Sequence, residues 1–313
     1  MNDIVQKADL ALSDLTADGG LLNPEQSDTF IRQVIDAPTL IRSVRTVPMS
    51  RPEMKVNKIG FGSRILRPAP QSGGSGTGDT GADPVNPRHL ASTDRSSPDL
   101  GQVSLATSEV IAEVHLHDEV LEDNIERGDL QNTILALIAE RAALDLEELL
   151  VQGDTSSLDT YLALQDGVIK LSNVNVVDAA GSPVNVNIFN DSKKAMPTRY
   201  RRNLAAMRYF SSMDVESDYR VAVASRGTDL GDAVLTGNAP LPVLGTPLVG
   251  VALMPNENIV FTNPQNIIWG VQRDVRIERD RDVRARSWII VLTLRVAIQI
   301  EETDAVVKVI NLG

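Results

Sequence analysis

The sequence predicts an α+β fold, and three observations carry that reading. One strongly periodic helical stretch, residues 129–152, stands among strand patterns instead of alternating with them. Residues 264–313 alternate apolar and polar side chains at the two-residue period of half-buried strands. Residues 154–262 mix short helical and strand patterns, interrupted by Pro240, Pro242, Pro247 and Pro255.

Residues 1–50 read as an extended arm. Asp3 to Leu15 fits a short amphipathic helix, and Gly19-Gly20, Pro24, Pro38 and Pro48 prevent long ones. Leu40-Ile41, Val44 and Val47 are weak apolar anchors, so the arm is expected to lie on another surface. Residues 51–120 read as a β-hairpin. Met54, Val56 and Ile59 begin its outgoing strand, and Val103, Leu105, Val110, Ala112, Val114 and Leu116 form a single returning one. Between them, five glycines fall from Gly73 to Gly81, with Pro68, Pro70, Pro84 and Pro87 around them. Such a stretch cannot build a packed core.

The helix follows. Gly128-Asp129 supplies its N-cap and Gly153 its stop, while Leu135, Ile138, Ala142, Leu146 and Leu149 recur at spacings of three and four. Glu140, Arg141, Glu147 and Glu148 are assigned to the solvated side. Further on, Ser192 to Asn203 fits a helix with Pro197 as an obstacle, and Val215 to Ser225 carries both signals. Val271, Arg273, Val275 and Ile277 start one strand. In the next, Leu292, Leu294, Val296, Ile298 and Ile300 face one side and Thr293, Arg295, Ala297, Gln299 and Glu301 the other. Asp304 marks a turn before a last strand, Val306 to Leu312.

Composition narrows the function. At 313 residues the chain makes about two domains or one elaborate one. It has no cysteine, which removes disulfides, thiolate metal sites and a cysteine nucleophile. Three histidines, His89, His115 and His117, leave little for histidine-based catalysis. Thirty basic against 42 acidic residues give a net charge of −12, so most of the surface repels nucleic acid. Of the basic residues 23 are Arg, whose planar fork suits ion pairs between proteins. No signal peptide and no membrane-length apolar run is visible, which points to the cytoplasm or something assembled there.

Four features compete for a functional role. Gly76-Thr77-Gly78-Asp79-Thr80-Gly81 matches the dinucleotide fingerprint formally, but it lacks the strand before and the helix after. It reads as a loop tip. His115 and His117 share one face of a strand with Glu113 and Glu119 beside them, a set that could hold zinc or iron in a metal enzyme. The alternative is a polar face against solvent or a neighbouring subunit. Arg199, Arg201, Arg202 and Arg208 form a basic cluster without stacking aromatics, read as a helix face meeting acidic neighbours. Arg273 to Arg286 packs six arginines into fourteen residues alternating with acids, and Arg273, Arg276, Glu278, Arg279, Arg281, Arg284 and Arg286 read as a subunit-interface strand and turn. No Ser-His-Asp set, nucleophile elbow or P-loop is present, so neither an enzyme nor a cofactor is expected.

The order of parts resembles the major capsid proteins of tailed bacteriophages, the Hong Kong 97-type fold. Residues 51–117 look like that family's extended E-loop and Leu130 to Gln152 like its spine helix. Gly153-Asp154 leading to Asp166-Gly167-Val168-Ile169 is similar to the turn toward the axial domain. Leu244-Gly245-Thr246-Pro247-Leu248-Val249 with Met254-Pro255, and Asp304-Ala305-Val306-Val307-Lys308-Val309, resemble family signatures near the end of the chain. Trp269 to Ile277 and Trp288 to Ile300 look like its last peripheral-domain strands.

The resemblance implies an N-terminal arm at 1–50, an E-loop hairpin at 51–120 and a peripheral domain with spine helix at 121–165. It then implies an axial domain at 166–262, peripheral strands at 263–300 and a C-terminal strand at 301–313. It implies a homo-oligomer of pentamers and hexamers closing an icosahedral virion shell around DNA contacted non-specifically, assembled in the host cytoplasm. A portal and a decoration protein are further partners the family brings, and no membrane is involved. No scaffold-like domain precedes the arm, so a separate scaffolding protein is expected and no long propeptide. Lys55 and Lys58 are the only hairpin lysines and neither is at the tip, so cross-linking is not expected. The main alternative is an encapsulin-type nanocompartment shell around enzyme cargo, which uses the same fold.

Overall fold

The structure is a computed structural model that describes residues 9–10, 40–61, 64–66, 96–117, 130–225 and 241–313. The glycine-rich loop with Gly76 to Gly81, His89, the Gly128-Asp129 cap, Glu119 and most of the Asp3–Leu15 segment lie outside the described residues. Within that last segment Asp9–Leu10 is a strand, β1, and not helix. Its backbone pairs in parallel with a strand that reaches His115 and Leu116, and sheet pairing overrides a weak helical period.

The chain divides into two units, residues 54–105 and the remainder. The smaller is a two-stranded sheet of β3 (Glu53–Gly60) and β4 (Asp99–Ala106). Ile59, Phe61, Ile65, Leu66 and Leu100 are exposed on it. A lone two-stranded ribbon is marginal in water.

The returning strand expected over 103–116 is two strands. β4 ends at Ala106, and β5 (Ser108–His117) joins a different sheet. The break is at Thr107, whose N–H donates to the Pro52 carbonyl and whose hydroxyl reaches Gln272. The apolar positions change phase across the break, from the odd numbers of Val103 and Leu105 to the even numbers of Val110, Ala112, Val114 and Leu116, a mark that a single returning strand does not accommodate.

The larger unit holds two sheets. The first runs β1-β5-β12-β11-β2, with β2 at Arg45–Pro48, β11 at Ile267–Asp282 and β12 at Ser287–Ile300. A short helix α1 (Leu40–Ser43) precedes β2, and α2 (Leu130–Gln152) crosses this sheet. At about 1.5 Å per residue α2 is a rod of about 35 Å. Ile138, Ala142, Leu146, Leu149 and Leu150 pack on the face of β12 formed by Leu292, Leu294, Val296, Ile298 and Ile300. Each such side chain, once buried, contributes about 1.5–3 kcal/mol.

Glu147 departs from its expected place on the solvated side. It is 1% exposed, and its Oε1 accepts the Leu40 N–H at 2.5 Å. The first turn of α1 needs a partner for its free N–H groups, and this carboxylate supplies one.

The second sheet runs β6-β13-β10-β7-β9-β8. Its strands are β6 (Asn175–Asp178), β7 (Arg208–Ser211), β8 (Pro242–Val243), β9 (Thr246–Gly250), β10 (Ile259–Thr262) and β13 (Val306–Ile310). Helices α4 (Val186–Ala195) and α5 (Met213–Ala224) pack on this sheet, whereas the short α3 (Val168–Leu171) packs in the first core with α2 and β12. The helix expected over 192–203 instead starts at Val186. The Asn185 side chain caps it by accepting from Asn187 and Ile188, and it stops before Pro197, which holds Met196 extended. The mixed signal at 215–225 resolves as α5, capped by Ser212.

Leu244 and Gly245 join β8 to β9 with φ of 50° and 80°. Both residues of a type I′ turn need positive φ, and leucine is a poor choice there. The Lys193 ammonium donates to the Leu244 carbonyl at 2.5 Å, which holds the turn without using the leucine side chain. Leu244→Asn is therefore expected to raise the stability of the isolated chain by about 0.5–1 kcal/mol, read as a higher urea midpoint at unchanged slope.

Candidate functional site

The distal half of the β11–β12 pair carries the arginine-rich stretch. Arg276 to Asp282 pair in regular antiparallel register with Thr293 to Ser287, and Ser287 to Val296 pair onward with His117 to Ser108. These registers fix three-strand rows: Arg276–Thr293–Ile111, Glu278–Val291–Glu113, Asp280–Ile289–His115 and Asp282–Ser287–His117. Opposite residues share a face and successive ones alternate. One face of this blade therefore carries Glu278, Asp280, Asp282 and Glu113 with His115 and His117. The other carries Arg279 and Arg281 beside Ile290 and Trp288.

The side-chain contacts agree with this parity. Arg276 pairs with Glu278 at 2.6 Å, and His115 Nε2 meets Glu113 at 2.6 Å, each pair two residues apart on one face. The Arg281 guanidinium lies over the Trp288 ring, 5.8 Å from its centroid, on the other. Arg284 and Arg286 sit in the turn. Asp282 closes it by accepting the Arg284 and Ala285 N–H groups, and Arg286 takes a φ of 50°. Val283 at the tip is 76% exposed.

Nearer the helix, Glu109 gathers two arginines. Arg295 donates to its Oε2 at 2.6 and 3.0 Å, and Arg273 approaches at 3.5 Å. The Arg295 hydrogen bond, helped by both positive charges, holds the Glu109 carboxyl below the usual carboxylate range. Its stabilising contribution is thus present above the ordinary glutamate pKa and fades as pH falls through the lowered one. Nothing local in the sequence marks Glu109 and Arg295 as a pair. Their signal is strand parity, which puts Arg273, Arg295 and Glu109 in one row.

The second predicted cluster lies elsewhere. Arg199, Arg201 and Arg202 occupy the turn after α4, not a helix face, because Pro197 ends the helix first. Arg199 pairs with Asp304 at 2.7 Å and lies over the Tyr200 ring. Arg201 donates to Thr198, and Arg202 is exposed. Arg208 donates to the Ala205 and Met207 carbonyls. Asp304 follows the end of β12 while the blade tip precedes its start, so the two clusters flank opposite ends of a 14-residue strand.

Catalytic readings find little support. Among the described residues no group of three or more His, Cys, Asp or Glu could hold a metal ion. Ser287 lies between His117 and Asp282 in one row, but its hydroxyl is buried without a hydrogen-bond partner. A nucleophile would need the imidazole in contact. A cleft of about 350 Å³ is lined by Ser43, Arg208, Phe210, Val249, Asn263 and Gln265 among others, and Arg208 is its one titratable side chain. Among the described residues no helix is long and apolar enough to cross a membrane.

A long helix across one sheet, a second sheet with its own core, a separate two-stranded hairpin and a charged blade together define the Hong Kong 97-type shell-protein class. Solved structures share the fold at low identity. The capsid of the native GTA particle matches with a TM-score of 0.65 at 18% identity, covering 97% of this chain and 100% of the other. Microbacterium phage Oxtober96 matches at 0.64 and 14%, over 97% and 99%. The satellite phage P4 procapsid matches at 0.61 and 13%, over 100% and 98%. No protein-family model matches the chain. In sequence it is 42% identical to YqbE of Bacillus subtilis (strain 168), a provisionally named prophage capsid protein, over 99% of this chain and 98% of that one. The chain belongs to this family of phage capsid proteins.

Proposed function

We propose that the protein is the major shell subunit of a phage head, assembling into pentamers and hexamers of a closed icosahedral particle around double-stranded DNA. The observation that carries this is full-length identity of 42% to a prophage capsid protein together with the shell fold. The described segments fit division into an arm, an E-loop hairpin, a peripheral domain with the α2 spine, an axial domain and terminal strands. The exposed apolar residues of the hairpin suit burial against neighbouring subunits. Arg273, Arg276, Glu278, Arg279, Arg281, Arg284 and Arg286 are subunit-contact residues in this reading, with Arg199, Arg201 and Arg202 as a second contact. A net charge of −12 keeps the shell from adhering to the genome, so DNA is held non-specifically. A separate scaffolding protein, a portal and possible decoration complete the head, which forms in the host cytoplasm. A prophage relative favours this reading over an encapsulin-type compartment.

Negative-stain electron microscopy with sedimentation of the protein expressed alone tests it. Closed shells, capsomer rings or tubes are expected. A small monodisperse species is compatible with a need for the separate scaffolding protein, and one that stays unassembled when co-expressed with the scaffolding protein of its own phage would count against the reading.

A further inference from the structure

We infer that the arginine turn after α4 in one subunit docks on the outer side of α5 in the next, so that this contact helps close the capsomer ring. This rests on the reading above that the turn is a subunit contact, and it names the partner surface.

Helix period lays out the first surface. Met213, Ser217 and Val221 recur every four residues along α5, with Asp214 and Asp218 in the adjoining row. Val215 and Tyr219 point the other way, into the core of the second sheet. Met213 and Val221 are 44% and 62% exposed, and Asp214, Ser217 and Asp218 are exposed with them. One apolar stripe seats a surface helix on its core. α5 carries apolar side chains on its outer side as well, flanked by acids.

The second surface is the exposed run from Arg202 to Ala205, with Arg201 beside it. Leu204, 38% exposed, is its apolar centre. The turn is held in place from within the chain. Arg199 pairs with Asp304 at 2.7 Å, and Arg201 donates to the Thr198 hydroxyl at 3.2 Å.

Both surfaces hold charge that their own chain leaves uncompensated. Among the described residues neither Arg202 nor Asp218 has an ion-pair partner. Asp214 accepts an amide proton from Asn256 at 2.9 Å and meets no cation among them. Glu216, also on α5, is different, because Arg220 pairs with it at 2.7 Å. Neither surface fits a copy of itself, since acids would meet acids and arginines arginines. Set against each other, the apolar centres meet and Arg201 and Arg202 face Asp214 and Asp218.

The two surfaces lie toward opposite flanks of the second sheet. Arg199 ties the turn to Asp304, just ahead of β13. α5 starts against the end of β9, where a side chain on Gly250 would strike Met213 and Glu216. β10 and β7 stand between β13 and β9, a separation of three strand spacings or roughly 14 Å. Two different patches on opposite flanks make a heterologous contact, which closes by rotation into a ring. The α5 stripe is about 12 Å long. A contact that small does not hold a free dimer, which needs about 800 Å² per partner. It sets register and orientation beside the other contacts of a shell.

The chain has no cysteine, so disulfide trapping tests the contact without background. Leu204→Cys/Val221→Cys and, separately, Arg202→Cys/Asp218→Cys are assembled with the scaffolding protein of the same phage, oxidised with diamide and run on a non-reducing denaturing gel. A ladder of covalent multimers ending at five and six subunits is expected, with only monomer from each single variant. Circular dichroism and thermal melting of the reduced subunits check that the variants fold. A dimer from a single variant, with nothing larger from the pairs, would mark a twofold contact and overturn the ring. Assembled particles in which both pairs stay monomeric would overturn the docking while leaving the shell function standing. Failure of the unsubstituted chain to assemble with that scaffolding protein would instead overturn the reading beneath it.

Discussion

Gly153→Ala is expected to destabilise the unassembled subunit by about 3–5 kcal/mol, among the largest single-residue effects in the chain. α2 ends at Gln152, and the Gly153 N–H still bonds to the Leu149 carbonyl at 3.0 Å. The chain then loops out and returns so that Gly167 donates to the Gly153 carbonyl at 2.8 Å. A methyl group on Gly153 would stand 2.4 Å from the Gln165 carbonyl oxygen and 2.6 Å from that of Leu149. Both neighbours are backbone, so no side chain can swing away. Positive φ is not the reason here. The position demands space. Gly167 is the mirror case, with the Gly153 nitrogen 2.6 Å and the Leu149 and Leu150 carbonyls 2.9 Å from its would-be Cβ.

The two glycines share one contact, so their effects should not add. Once either alanine has opened the corner, the second costs less, and the double variant is expected to lose clearly less than the sum. Urea unfolding of the two singles and the double measures this. A loss below about 1 kcal/mol for Gly153→Ala would show that the corner yields and that the close approach is not needed. The surrounding loop reinforces the corner. Asp154 accepts the Ser156 N–H and pairs with Lys170, which holds its carboxyl below the usual range, and Asp166 accepts from Thr155. That support is present above the ordinary aspartate pKa and is lost as pH falls through the lowered one.

The sequence makes some of this legible and hides the rest for physical reasons. Local periodicity marks α2 and β12, because one element packed on one face leaves its period in the chain. The Gly153 and Gly167 pair is visible as two glycines, but their mutual approach across fourteen positions is not. Glu147 reads as a surface acid because its partner, the Leu40 N–H, is 107 residues away. Thr107 divides two strands of different sheets, and the apolar positions slip from odd to even numbers across it, a mark of the break that reading 103–116 as one strand passes over, so the hairpin reads longer than it is. At the blade, the arginines and acids are plain in the sequence, whereas their separation onto two faces follows only from the register with β12 and β5.

Phe189→Ala is expected to cost a further about 3–5 kcal/mol, through a different mechanism. The chain has five phenylalanines and four tyrosines, and four of those rings meet in the core of the second sheet. Phe189 is 0% exposed and sets its ring edge-on to Tyr209 at 4.9 Å and to Tyr219 at 5.0 Å, while Tyr209 stacks on Phe261 at 4.5 Å. Removing the ring leaves a cavity and also takes two edge contacts, each worth about 0.5–1.5 kcal/mol beyond burial. The Tyr209 hydroxyl donates to the Phe189 carbonyl at 3.0 Å, and burial pushes that phenol up to about 12.

These terms separate experimentally. Phe189→Leu keeps most of the volume and should cost less than Phe189→Ala by about 2 kcal/mol. Tyr209→Phe keeps the stack and removes only the hydroxyl, at about 1 kcal/mol. If Phe189→Leu proved as damaging as Phe189→Ala, ring geometry and not cavity volume would govern this core. Near-ultraviolet circular dichroism would then lose its tyrosine signal in both variants alike. Because this core joins β7, β9, β10 and β13 to α4, its loosening should reach the β8–β9 turn through the Lys193 bond to Leu244. Hydrogen exchange at residues 241–250 is therefore expected to accelerate in Phe189→Ala, while exchange across the β11–β12 blade, packed in the other core, stays near its original rate.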